Sequence, residues 1–206
     1  MKKIWVTTIL SILALVLNVI FQIFVSRLHL IVWLDTIFVV ALTFYSGLVP
    51  GLIVAAVYNP IMTLVFCALN NTEIFYFDFL YSICGMLIVT VTWMFSHNKK
   101  EFFFSRTVTV LYLVLIAFCS AFVSCFSASA LDTFVRPLFS LQSPFNIIDG
   151  FSPVFKKFNY SAFLSFLLPR IPISVLDRLI CTFSGYGLYR LLLKIQLSSS
   201  PAHVTF

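Results

Sequence analysis

Charge is what this sequence has least of. Acidic and basic residues fill 10% of its 206 positions, against roughly 25% in an ordinary soluble protein. Seven residues are Asp or Glu, three are His and six are Gly. The 61% hydrophobic content and the mean hydropathy of +1.07 exclude a soluble domain of this size, because small domains must expose much of their surface to water. Disorder is excluded as well, since disordered chains are poor in apolar residues. What remains is one all-α membrane domain.

Patterns that carry catalysis are missing too. There is no GxxxxGK[ST], so no P-loop nucleotide hydrolysis. There is no HExxH and no His/Cys cluster with metal-ligand spacing. His29 and His97 sit at loop edges and His203 in the tail, and all three read as solvated. No histidine lies in an apolar span to serve a nucleophilic serine. The cysteines (Cys67, Cys84, Cys119, Cys125 and Cys181) lie in apolar stretches without a CxxC pair and read as small buried side chains. No enzyme, cofactor or metal is expected. The net charge of +6 does not indicate nucleic acid, because the Lys and Arg residues mostly flank apolar segments, which is how membrane proteins set their orientation.

A helix needs about 20 apolar residues to cross a bilayer. By that measure the sequence predicts a bundle of six transmembrane helices at about 4–25, 30–46, 50–69, 74–95, 107–130 and 171–193. The first run follows Lys2 and Lys3. It is longer than a signal-peptide core and lacks a cleavage site, so it reads as a retained helix. Charge then predicts both termini inside the cell. The inner ends hold Lys2, Lys3, Lys99, Lys100, Arg106, Arg190 and Lys194. Trp5 and Trp93 fall near the inner interface and Trp33 near the outer one. A long outer segment over 132–160 holds Pro137, Pro144 and Pro153. It reads equally as an interfacial loop and as a cap over a binding cavity. The membrane domain ends near residue 197, and 198–206 reads as a frayed tail.

Charges inside spans mark functional sites. Asp35, Asp78 and Asp177 fall at about 8, 6 and 9 Å from the outer ends of their helices, at 1.5 Å per residue. Three helices distant in sequence thus agree on one depth, with Arg170 and Arg178 beside them. Such an array can be a set of locking ion pairs between Asp35 or Asp78 and Arg170 or Arg178. It can equally be a polar pocket open to the outside. Arginines nearby favour ionised carboxylates over an aspartyl dyad. The last helix has Pro172 placed for a first turn, followed by one small and polar face through Ser174, Asp177, Cys181 and Ser184. Small-residue stripes such as Thr7, Ser11, Ala14, Asn18 and Gln22 ordinarily pack helix against helix. Asn59 stands apart, because it precedes Pro60 in mid-span, where proline frees a backbone carbonyl. The candidate ligand-binding residues are therefore Asp35, Asn59, Asp78, Arg170, Asp177 and Arg178.

Two stretches carry a family likeness. One runs from Leu28 through Trp33-Leu34-Asp35-Thr36 to Tyr45-Ser46-Gly47-Leu48-Val49-Pro50-Gly51 and Tyr58-Asn59-Pro60. The other is Pro169-Arg170-Ile171-Pro172 through Asp177-Arg178, then Ser184-Gly185-Tyr186-Gly187. Together they cover about a quarter of the chain, and in them it resembles the substrate-binding membrane subunits (S components) of energy-coupling factor transporters. The resemblance implies a multi-pass protein of the cell (inner) membrane that binds a vitamin or similar small solute from outside. It also implies partners on other chains, a transmembrane coupling subunit and two ATPases. Many S components dock on the coupling subunit through an Ala-x-x-x-Ala pair in the first helix. The nearest equivalent here is Thr7-x-x-x-Ser11, with Ala14 on the same stripe. The alternative is a membrane sensor or scaffold without transport activity.

Overall fold

A computed structural model describes residues 2–28, 30–139 and 147–199. His29, Pro144, His203 and the tail from residue 200 lie outside the described residues. The described chain is helical. Its helices are α1 (Lys2–Arg27), α2 (Ile37–Ser46), α3 (Leu48–Asn70), α4 (Ser82–Ser96), α5 (Lys99–Phe102), α6 (Arg106–Ala130), α7 (Ser152–Lys157) and α8 (Ala162–Ser199). Helix α2 packs on α3, α3 on α4, α4 on α6, α6 on α8, and α8 back on α2. These five close a ring, and α1 lies against α2 and α3.

Four stretches are long and apolar enough to cross a membrane: Ile4–Arg27, Leu48–Asn70, Tyr76–Ser96 and Arg106–Leu138. Their outward faces carry bare apolar side chains, Phe122 at 72% exposure among them. Lipid suits that surface and water does not. The two other expected spans differ from the sequence reading. The second, expected over 30–46, is helical only over Ile37–Ser46, about 15 Å of helix against a hydrocarbon core of about 30 Å. The sixth, expected over 171–193, is the inner part of the longer α8. Pro172 therefore stands in a helix interior rather than a first turn, and Pro169 and Pro172 each remove one rung of the α8 ladder. Arg170, Asp177, Arg178, Arg190 and Lys194 break the apolar run of this helix. Helix α8 also continues to Ser199, past the expected boundary at 197.

Three elements lose regular α geometry at one end of the ring. Residues 30–36 are not helical, Tyr76–Tyr81 form a 3-10 helix leading into α4, and Leu131–Val135 widen into a π turn at the close of α6. Irregular backbone at membrane depth survives only inside protein or along a water-filled cavity. The described residues of the segment over 132–160, expected as an outer loop or cap, include several short helical pieces, and α7 packs on α8.

The opposite end is sealed by aromatic packing. Val40, Phe44, Ile88, Phe102, Leu113, Ile116 and Tyr189 form one buried cluster. The Lys99 ammonium stands over the rings of Phe44, Phe102 and Tyr189 and donates to the Phe44 carbonyl at 3.2 Å. Lys99 as a whole stays exposed, yet the surrounding rings remove enough water to hold its ammonium below the ordinary lysine value. Four of the five cysteines are buried, Cys119 is half-buried, and all five are free thiols. His97 is exposed and stacks on Trp93.

Helix α8 reaches α2 closely because Gly185 has no side chain. A Cβ there would stand 2.8 Å from Val40 Cγ1 and 2.9 Å from the Ile37 carbonyl oxygen. At Gly187 a Cβ would meet nothing within 4 Å. We predict that Gly185→Ala costs about 1–3 kcal/mol of stability through overpacking. Gly187→Ala serves as the control and stays within about 0.5 kcal/mol of the parent. Thermal unfolding in detergent makes the comparison, and equal melting of the two variants would contradict the close approach.

Candidate functional site

Helix direction alternates from α2 through α8, and α8 runs the same way as α2 where the ring closes. The ends of α1, α3 and α6 therefore meet the starts of α2, α4 and α8. A cavity of about 210 Å³ opens where they meet. Five of the six residues singled out from sequence line it: Asp35, Asn59, Asp78, Arg170 and Arg178. Asp177 does not. It is fully buried behind the wall.

Asp35 lies in the irregular stretch before α2, not on a helix, which corrects its expected place along a second span. Asp78 lies in the 3-10 turn, not on a regular α-helix. Asn59 sits inside α3 one residue before Pro60. Arg170, Asp177 and Arg178 are all on α8. Trp33, expected at the outer interface, is half-buried and lines the cavity. The α1 stripe faces the bundle. Ala14 is buried and packs with Val39, Leu42, Val54, Ala55 and Val89, while Thr7 and Ser11 are half-buried. The Ser11 hydroxyl donates to the Thr7 carbonyl at 2.8 Å.

The charges fall into two networks, each built on one arginine of α8. Arg178 donates to Asp35 Oδ1 at 2.8 Å and to the Thr36 hydroxyl, and it also pairs with Asp177. The second carboxylate oxygen of Asp177 accepts the Leu34 N–H at 2.6 Å. Leu34 has a φ of 51°, a left-handed conformation that leucine rarely adopts. The buried carboxylate thus pins the turn that carries Trp33, Asp35 and Thr36 into the wall. Arg170 pairs with Asp132 and donates to the Ser129 hydroxyl at 3.4 Å. The Tyr81 hydroxyl donates to Asp132 Oδ1 at 2.7 Å. Arg136 stands 3.6 Å from Asp132 and grips Asp149 with both guanidinium nitrogens.

Pairing of Asp35 with Arg178 was one of the two sequence expectations. Sequence does not show the partner of Arg170, because Asp132 falls in the segment read as an outer loop. It is buried in the π turn. The signal was present in the row Ser124, Ala128 and Asp132 in steps of four, which carries the small and polar side of the helix on to Asp132. Sequence reasoning also missed Tyr58, Phe66 and Tyr81, which lie on the lining, while Ser174 of the polar α8 face lines it too. Gln22, noted only as part of a packing stripe, lines the cavity, and its Oε1 has no donor. The Nε of Arg178 likewise has no acceptor. Among the described residues no cluster of His, Cys, Asp and Glu is arranged to hold a metal.

Comparison with known proteins returns no match: no family model, no curated protein and no solved structure aligns with this chain.

Removing Arg178 strands the carboxylates of Asp35 and Asp177 together. We predict that Arg178→Ala costs about 3–5 kcal/mol, the usual range for breaking a buried pair. Asp35→Asn costs less, because Asp35 keeps 25% of its side-chain surface and Arg178 retains Asp177. Thermal unfolding of both variants checks the ranking. A reversed order would show that the network does not hold this end of the bundle.

Proposed function

We propose that this chain is the substrate-specific binding subunit of an energy-coupling factor type uptake transporter for a vitamin or similar small micronutrient. It sits in the cell (inner) membrane as a six-helix bundle, with α2 and its irregular lead-in as one crossing and α8 as the last. Both termini face the cytoplasm and the cavity faces outward. The observation that carries this reading is the convergence of Asp35, Asn59, Asp78, Arg170 and Arg178, from four separate elements, on one cavity. Sites of this kind are concave and mostly apolar, with a few placed polar groups.

Charge supports the orientation. The helix ends away from the cavity hold Lys2, Lys3, Lys99, Lys100, Arg106, Arg190 and Lys194, with Glu101 as their acidic companion. The remaining acids and bases balance, so the whole net charge of +6 belongs to that end. Lys and Arg accumulate on cytoplasmic ends. The coupling subunit and the two ATPases come from other chains. Docking on the coupling subunit uses the exposed Ile9, Ile12, Leu13 and Val16 of α1 in this reading, which is supported by the inward turn of Thr7, Ser11 and Ala14.

A second reading is a sensor or scaffold without transport activity. It is favoured by the mutual pairing of Arg178 with Asp35 and Asp177 and of Arg170 with Asp132, since such pairs can serve only to lock a bundle. Native mass spectrometry on protein gently extracted from its own membrane separates the two. The transporter reading predicts a retained small mass, together with a membrane partner and two ATPases. A protein reproducibly free of both contradicts it and leaves the scaffold.

A further inference from the structure

The charges around the cavity are answered inside the wall. Arg178 pairs with Asp35 and Asp177, and Arg170 pairs with Asp132. Arg136 stands 3.6 Å from Asp132 and is held by Asp149. Asp78 is engaged as well. Among the described residues of this wall, a solute with a net charge finds no free counter-charge. An unanswered charge in a poorly solvated site is costly.

Neutral polar groups are what the wall leaves open. Asn59 lines the cavity from the middle of α3. Among the described residues nothing hydrogen-bonds to its carboxamide. Lipid offers that group no partner, so the cavity has to supply one, as water or as solute. A carboxamide accepts through its oxygen and donates through its nitrogen. It therefore matches an edge that presents an N–H beside an acceptor, the two-bond pairing by which asparagine reads adenine. A second carboxamide, Gln22, also borders the cavity, with its Oε1 unmet.

The apolar lining sets the shape. Trp33, Tyr58, Phe66 and Tyr81 border the cavity, and aromatic faces hold flat rings by offset stacking. The volume of about 210 Å³ falls below the roughly 300–1,000 Å³ of drug-sized sites. Such a space suits a solute of one or two fused rings.

We propose that the cavity selects an uncharged, planar heterocycle whose edge carries an N–H beside a hydrogen-bond acceptor, and that Asn59 reads that edge. This inference rests on the solute-binding reading given above. Four probes of similar size test it. 2-Quinolone has the edge and naphthalene lacks it, while 2-naphthoate and N-methylquinolinium add a negative and a positive charge. Each is titrated into the intact purified chain in detergent while thermal unfolding is followed.

2-Quinolone is expected to raise the melting temperature with saturation, at lower concentration than naphthalene, and the two charged probes are expected not to raise it. Asn59→Leu weakens the 2-quinolone response about tenfold, as loss of a net hydrogen bond does, and leaves the naphthalene response unchanged. Should Asn59→Leu fail to fold, Asn59→Ala carries the same comparison. Equal responses to 2-quinolone and naphthalene, or an undiminished 2-quinolone response in the variant, overturn the role of Asn59. Saturable stabilisation by either charged probe overturns the selection for an uncharged solute. No saturable response to any of the four overturns the inference as a whole. The solute-binding reading is judged separately, by the small mass retained in native mass spectrometry. A retained mass without a probe response sinks this inference alone, and the absence of a retained mass sinks both.

Discussion

Arg170 and Arg178 lie two helical turns apart on one face of α8, inside a bundle whose outer surface is made for lipid. A guanidinium in that setting is costly unless carboxylates meet it. The rest of the cavity end follows from this demand. Asp35 and Asp177 answer Arg178, and Asp132 answers Arg170. To deliver Asp35 and Thr36, the chain before α2 abandons the helix, and Leu34 takes a left-handed turn against Asp177. To deliver Asp132, α6 widens into a π turn. Each departure from regular α geometry supplies a polar contact that the lipid could not.

The same constraint explains what sequence could show. The helical membrane class follows from composition, and the breaks at Gly47 and Asn71 fall between the spans predicted over 30–46, 50–69 and 74–95. Asp35, Asn59, Asp78, Arg170 and Arg178 were identifiable because charge or a proline neighbour in an apolar run is conspicuous. Depth along an ideal helix was the wrong ruler for two of them, since Asp35 and Asp78 sit on irregular backbone. Hydropathy does not record where a helix unwinds. It also hid Asp132, whose position after a long apolar helix imitates a loop, and it set α8 too short, because Pro169 and Pro172 imitate a boundary. Aromatic lining residues such as Tyr58 and Tyr81 were invisible in a sequence with 25 Phe and eight Tyr.

The two ends of the molecule differ in chemistry. One is closed by packed, tilted rings around Phe44, Phe102 and Tyr189 and carries the surplus positive charge. The other is balanced in charge, irregular in backbone and hollow. A protein that receives a solute on one side and meets a cytoplasmic engine on the other has use for that asymmetry. A scaffold could keep the ion pairs but would have no use for a lined cavity with unmet hydrogen-bonding groups at Gln22 and Arg178.

The central claim is a water-filled cavity open to the outside. Cysteine accessibility in intact cells tests it most directly. In a background without native cysteines, Asn59→Cys on the cavity wall is compared with Ile116→Cys in the sealed aromatic cluster. The account predicts that a membrane-impermeant thiol reagent added outside modifies the cysteine at position 59 and spares the one at 116. Protection at position 59, or modification there only after the cells are permeabilised, would contradict it.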